Sequence, residues 1–124
     1  MDDSQVQAQL SRLEGLLRSG KPVAGLEPGE PEATAESVGA VAAVGYRVPE
    51  LGIRASVFVF ESWARHSEVV AELKQRTPPG PDDYVTSSTN GPMLFVGRVS
   101  AAGERGLEAK MMLARLTGNF SGDE

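Results

Sequence analysis

The sequence predicts an α+β domain. The expected architecture is a three- or four-stranded, mainly antiparallel sheet covered by helices, preceded by an N-terminal amphipathic helix on a Pro/Gly/Glu linker. Three observations carry this expectation. Val57-Phe58-Val59-Phe60 is an unbroken apolar run, the pattern of a strand buried on both faces. Asn90-Gly91 stands between two strand-like runs, and both residues tolerate the positive φ that a tight hairpin needs. Val6, Leu10, Leu13 and Leu17 are spaced by four, three and four residues, which places them on one stripe of a helix.

The elements follow in order. Residues 4–19 read as a helix with Ser4 as its N-cap and Gly20 just past its end. Residues 20–35 change character. Gly20, Pro22, Gly25, Pro28, Gly29 and Pro31 alternate with Glu27, Glu30 and Glu32, and this composition reads as a flexible linker. A small domain is expected over 36–120. It opens with a short helix from Glu36 to Val44, stopped by Gly45, although its Ala and Val content leaves a strand open. Tyr46 to Val48 is a short extended piece. Arg54 to Phe60 is the first clear strand. Ser62 caps a helix running to Arg76, where Thr77-Pro78-Pro79-Gly80-Pro81 ends it. Tyr84–Thr89 and Met93–Val99 form the hairpin, with Pro92 suggesting a loop longer than two residues. Glu104 to Leu116 is the last helix, with Gly118 as its cap. Residues 121–124 are an acidic tail. No unit repeats within the chain.

Composition excludes several function classes. The 124 residues include no cysteine and one histidine, so thiol nucleophiles, cysteine-ligated zinc and multi-histidine metal sites within one chain are ruled out. Twelve Lys+Arg against 17 Asp+Glu give a formal charge of −5, which disfavours nucleic-acid binding. No apolar run approaches the roughly 20 residues of a bilayer span, and no basic-then-apolar leader opens the chain. A cytoplasmic location is the default expectation, with a processed exported protein left open. No cofactor is expected.

The chemistry-bearing candidates are few. His66 is the only side chain that titrates near neutrality unaided. It falls at the edge of the apolar face of the Ser62 helix, one turn from Trp63. A small-molecule pocket between sheet and helices, near Trp63, His66 and Arg98, is one functional reading. A packed boundary histidine is the plainer one. Asp82-Asp83 fits turn chemistry better than a cation site, since no Asp-x-Asp-x-Asp-Gly loop is present. Gly97, Gly103 and Gly106 lack a Walker pattern and read as turn glycines.

Val57-Phe58-Val59-Phe60, the stretch Ser88-Thr89-Asn90-Gly91-Pro92-Met93-Leu94-Phe95-Val96-Gly97 and the ending Phe120-Ser121-Gly122-Asp123-Glu124 resemble a group of small bacterial α+β proteins. The resemblance covers about two thirds of the 124 residues and implies no activity or site.

The leading functional expectation is a non-enzymatic interaction or accessory module. Its first helix would dock through Val6, Leu10, Leu13 and Leu17 onto a protein partner or a second copy, because helix-in-groove recognition uses that spacing. The same stripe packed on its own body is the competing reading. The second hypothesis is the small-molecule pocket.

Overall fold

A computed structural model of the chain describes residues 1–20, 22–62 and 65–122. Helix α1 spans Asp3–Arg18. Its cap is Asp2, two residues before the expected Ser4. The Asp2 carboxylate accepts from the Gln5 N–H at 2.8 Å and the Gln5 side chain accepts from the Asp2 N–H at 2.9 Å. This reciprocal box satisfies two donors, and a carboxylate there also meets the positive end of the helix dipole.

The expected linker is largely ordered. Glu27–Gly29 forms strand β1, and Ala35–Val38 forms the short helix α2, capped by Thr34 and closed by Gly39 at φ 75°. The body supplies what the local composition lacks. β1 pairs antiparallel with strand β2, Ala42–Val48. Pro28 is tolerated because β1 lies at a sheet edge. Between β1 and α2 the backbone crosses β2 at Gly45, where a Cβ would come within 2.6 Å of the Glu30 carbonyl oxygen. The Glu32 N–H then donates to the buried Ser56 hydroxyl at 2.9 Å.

The short helix expected over Glu36–Val44 stops at Val38, and Ala42–Val48 is a strand instead. Ala and Val leave local propensity undecided. Seven cross-strand pairs with strand β3, Ile53–Val59, decide it. Helix α3 covers His66–Arg76. The expected start of that helix falls partly on Trp63 and Ala64, which lie outside the described residues. Strands β4, Asp83–Asn90, and β5, Met93–Ser100, form the hairpin. Asn90 pairs with Met93, so the loop is the two residues Gly91-Pro92, shorter than expected. Gly91 has φ 60° at the first central position, the type II′ requirement, and Pro92 needs no ladder N–H there. Helix α4 spans Gly106–Ser121 and runs past Gly118 to Gly122 at φ 79°. The acidic end therefore begins inside a helix, and Asp123 and Glu124 lie outside the described residues.

The fold is α+β, with one five-stranded antiparallel sheet in the order β1-β2-β3-β5-β4. The sheet exceeds the expected three or four strands because Glu27–Gly29 falls in the expected linker and the first half of Ala42–Val48 in the expected helix, although Tyr46–Val48 is extended as expected. Helices α1 and α4 cover one face over a core that includes Leu13, Leu17, Val57, Phe95, Leu113 and Phe120. The other face packs Phe58, Phe60, Leu94 and Val96 against Val69 and Leu73 of α3 and Val38 of α2. Among the described residues no helix is long and apolar enough to cross a membrane.

Candidate interaction edge

The structure places the predicted residues in three different settings. Leu13 and Leu17 are 0% and 4% exposed and belong to the main core, with Leu10 packed against it and Val6 half-buried. The leucine stripe is thus an internal seam between α1, α4 and the sheet. The competing reading of those leucines is the one their positions match.

Arg98 is fully engaged. Its Nε donates to both Glu32 carboxylate oxygens at 3.0 and 3.1 Å, Nη1 donates to the Thr77 carbonyl at 2.9 Å and Nη2 to the Leu73 carbonyl at 3.1 Å. It therefore closes the C-terminal end of α3 and ties down the segment that crosses β2. His66 sits at the opposite end of the same helix. The seven residues from His66 to Leu73 rise roughly 10 Å. His66 and Arg98 do not converge on one pocket, and Trp63 lies outside the described residues.

His66 is 5% exposed and packs on Phe60, with ring centroids 5.2 Å apart. One ring nitrogen bonds the Pro92 carbonyl, which also accepts the Phe60 N–H at 2.9 Å. Among the described residues the buried Nε2 has no hydrogen-bond partner, so Nδ1 makes the Pro92 bond and the neutral ring leaves Nε2 as an acceptor. Burial lowers the His66 pKa below its ordinary 6.5, and the Pro92 bond opposes that shift. The consequence for stability has a definite sign. With the folded value depressed, the unfolded chain takes up the proton first as pH falls. Stability from this group is full above about 6.5 and is lost on acidification below it. Urea unfolding at pH 7.5 and 5.5 should show a loss in the wild type that is smaller in His66→Phe. An equal loss in both would rule His66 out as the source.

A groove of about 420 Å³ runs between α3 and β4, lined by His66, Ser67, Val70, Ser87, Ser88, Thr89 and Leu94. A second cavity of about 470 Å³ lies between the end of α1 and residues 22–28, with Leu17, Val23 and Leu26 among its walls. Its polar groups serve one another. The Tyr46 hydroxyl donates to Glu14 Oε1 at 2.7 Å, and burial followed by that bond raises the Tyr46 pKa. Among the described residues no group of three or more His, Asp or Glu side chains could hold a metal ion.

The two sheet edges differ sharply. β1 has three residues, one of them Pro28, and Glu27 is ion-paired to Arg47 at 2.7 Å. Such an edge is too short and too charged to template another strand. β4 has eight residues, no proline and no lysine or arginine, and it pairs with β5 without a bulge from Asp83–Ser100 to Asn90–Met93. Among the described residues no strand lies on its outer side, so alternate residues direct N–H and C=O groups away from the sheet. Thr86 and Asn90 face α4, through the Thr117 hydroxyl and the Phe120 carbonyl, whereas Val85 packs on the α3 side. Sequence reading missed this edge because strand order decides which strand is outermost, and no local pattern encodes strand order.

Comparison of the chain with protein-family models, with curated proteins and with solved structures found no match.

Proposed function

We propose that the protein is an interaction module that assembles with a second copy of itself along β4. The observation that carries this is the long, regular outer edge of β4, free of proline, lysine and arginine, beside the blunted edge of β1. Strand addition uses main-chain groups that an edge of this kind already presents. Charge favours a like partner running antiparallel. The single charged residue of β4, Asp83, is at one end, and its carboxylate accepts the Gly80 N–H at 2.7 Å within its own turn. A parallel copy would bring the two Asp83 side chains together, whereas an antiparallel copy keeps them at opposite ends.

A two-fold axis normal to the sheet preserves its faces, and residues directly opposite in an antiparallel pair share a face. The axis therefore passes through one residue. Over 84–90, the part of β4 not used in the Gly80 turn, that residue is Ser87. Tyr84 then faces Asn90, Val85 faces Thr89 and Thr86 faces Ser88.

Ser87→Lys tests the reading. Ser87 is exposed, so the single chain should fold as before. In the pair two lysines would face each other across the axis. Sedimentation velocity should find the wild type at twice the chain mass and the variant weaker by at least about tenfold. A wild type that stays at the single-chain mass, or a dimer indifferent to Ser87→Lys, would show that the edge serves another partner or none.

A further inference from the structure

Three arginines stand side by side on the three central strands of the sheet. Arg47 of β2 faces Arg54 of β3, and Arg54 faces Arg98 of β5. Residues directly opposite in antiparallel strands share a face, with Cβ atoms about 4.5–5.5 Å apart. The face is that of α3, because Arg98 bonds the Leu73 carbonyl and the next member of the row, Val85, packs on that side. Like charges in such positions repel, and an anion beside them offsets the repulsion.

The outer two arginines have their anions. Glu27 pairs with Arg47 at 2.7 Å, and Glu32 pairs with Arg98 at 3.0 Å. Arg54, between them, is exposed, and among the described residues its side chain makes no hydrogen bond or ion pair. Arg47 also has donors to spare, since among the described residues only its Nε is bonded. Three guanidinium groups against two paired carboxylates leave one positive charge here, on a chain whose net charge is −5. General attraction for anions is therefore weak, and any binding must come from this local cluster.

The fold leaves space at the same point. The backbone of residues 30–32 crosses the sheet one row away, over Gly45 and Ser56. α3 ends at Arg76. Beside these two elements lies a groove of about 420 Å³ whose walls include Glu30, Arg47, Arg54 and Thr77. A smaller hollow of about 180 Å³ shares Arg54, Thr77 and Arg98 with it. Space of this size suits a small molecule. Because Arg54 is exposed, a ligand reaches it without any rearrangement of the chain.

We propose that this groove binds the phosphate group of a small molecule, held by the Arg54 guanidinium with the spare Nη groups of Arg47 beside it. Phosphate suits the cluster better than carboxylate. One arginine fork uses up both oxygens of a carboxylate, whereas a phosphate has oxygens left for a second arginine. The acids nearby do not fill the position. Glu27 and Glu32 are committed, and the Asp83 carboxylate accepts the Gly80 N–H at 2.7 Å. Glu30 is exposed and, among the described residues, unpaired, so it stands at the rim as a competing negative charge.

The test is titration of the full chain with sodium phosphate at pH 7.5, followed by calorimetry and amide NMR shifts, with ionic strength held constant by sodium chloride. The wild type should bind saturably with a Kd on the order of 1 mM, and the shifts should centre on Arg47, Arg54 and Thr77. Arg54→Met should weaken binding by at least about tenfold, and Arg54→Lys, which keeps the charge but loses the fork, should fall between. Glu30→Gln should tighten binding by removing the rim charge. Without phosphate, the denaturant midpoint of Arg54→Met should be no lower than that of the wild type, since Arg54 repels its neighbours and bonds nothing. No saturable response, or equal affinity in Arg54→Met, overturns the site. Acetate binding as tightly as phosphate overturns the choice of ligand. Lower midpoints in both Arg54→Met and Glu30→Gln would make the two residues partners within the fold and overturn the proposal.

Discussion

Leu13→Ala is expected to destabilise the protein by about 2–5 kcal/mol, the cost of emptying a buried leucine site. Leu13 is 0% exposed and lies among Leu17, Phe95, Leu113 and Phe120 in the main core. The site is held by α1, α4 and the sheet together, so the surroundings cannot easily collapse into the void. Against a total stability of roughly 5–15 kcal/mol this is a large fraction. The midpoint of thermal unfolding should fall by about 10 °C or more. Val6→Ala, at a half-buried position of the same stripe, should cost much less. A loss below about 1 kcal/mol for Leu13→Ala would mean that α1 is not sealed to the sheet. The same packing implies that removal of residues 1–19 would unwrap the core rather than free a tethered docking arm.

Arg98→Met is the second large effect. Arg98 and Glu32 pair with side chains 11% and 19% exposed. Removing the guanidinium strands a largely buried carboxylate and leaves the Leu73 and Thr77 carbonyls without their donor. Breaking one side of such a pair costs about 3–5 kcal/mol, mostly through the charge left behind. Replacing both partners should cost less. Arg98→Met with Glu32→Leu is therefore expected to be more stable than Arg98→Met alone, measured by denaturant midpoint at equal slope. If the double variant is no better, the penalty comes from the α3 carbonyls and not from Glu32. Amide exchange should meanwhile show α3 fraying at Leu73–Thr77, where Arg98 holds it.

These two residues mark where sequence reading succeeds and where it stops. The Val6–Leu17 spacing correctly predicts a helix with an apolar stripe, because periodicity is local. It does not say what covers the stripe. The Pro/Gly/Glu composition of 20–35 suggests a leash, and that suggestion made the stripe look available to a partner. The segment is instead held by contacts from far along the chain. β2 pairs with Glu27–Gly29, Ser56 takes the Glu32 N–H and Arg98 takes the Glu32 carboxylate. Each of these partners lies more than a dozen residues away in sequence, beyond the reach of any window. The helix expected through Ala42–Val44 fails for a related reason, since its neighbours in the sheet outweigh an undecided propensity.

Of the candidate pocket, His66 was visible as the single histidine, but its role was not. Its unsatisfied nitrogen depends on Pro92 occupying the other one, and on Phe60 and α3 excluding water. Arg98 looked like a ligand contact because an arginine at a strand end often is one. Here it closes a helix and anchors a crossing segment. The β4 edge carried no signal at all, for DYVTSSTN reads like any polar strand.

The sequence by itself determined the α+β class, the apolar central strand, the presence of a hairpin between the runs on either side of Gly91 and the helical spacing of the leucines. All of these follow from side-chain period and backbone sterics over a few residues. Only the tertiary structure decided that the leucines face inward, that Arg98 is bound at both ends of its reach, and that β4 is outermost with His66 beside it. Those outcomes depend on strand order and on which distant groups meet, and burial and pairing set them across the whole chain.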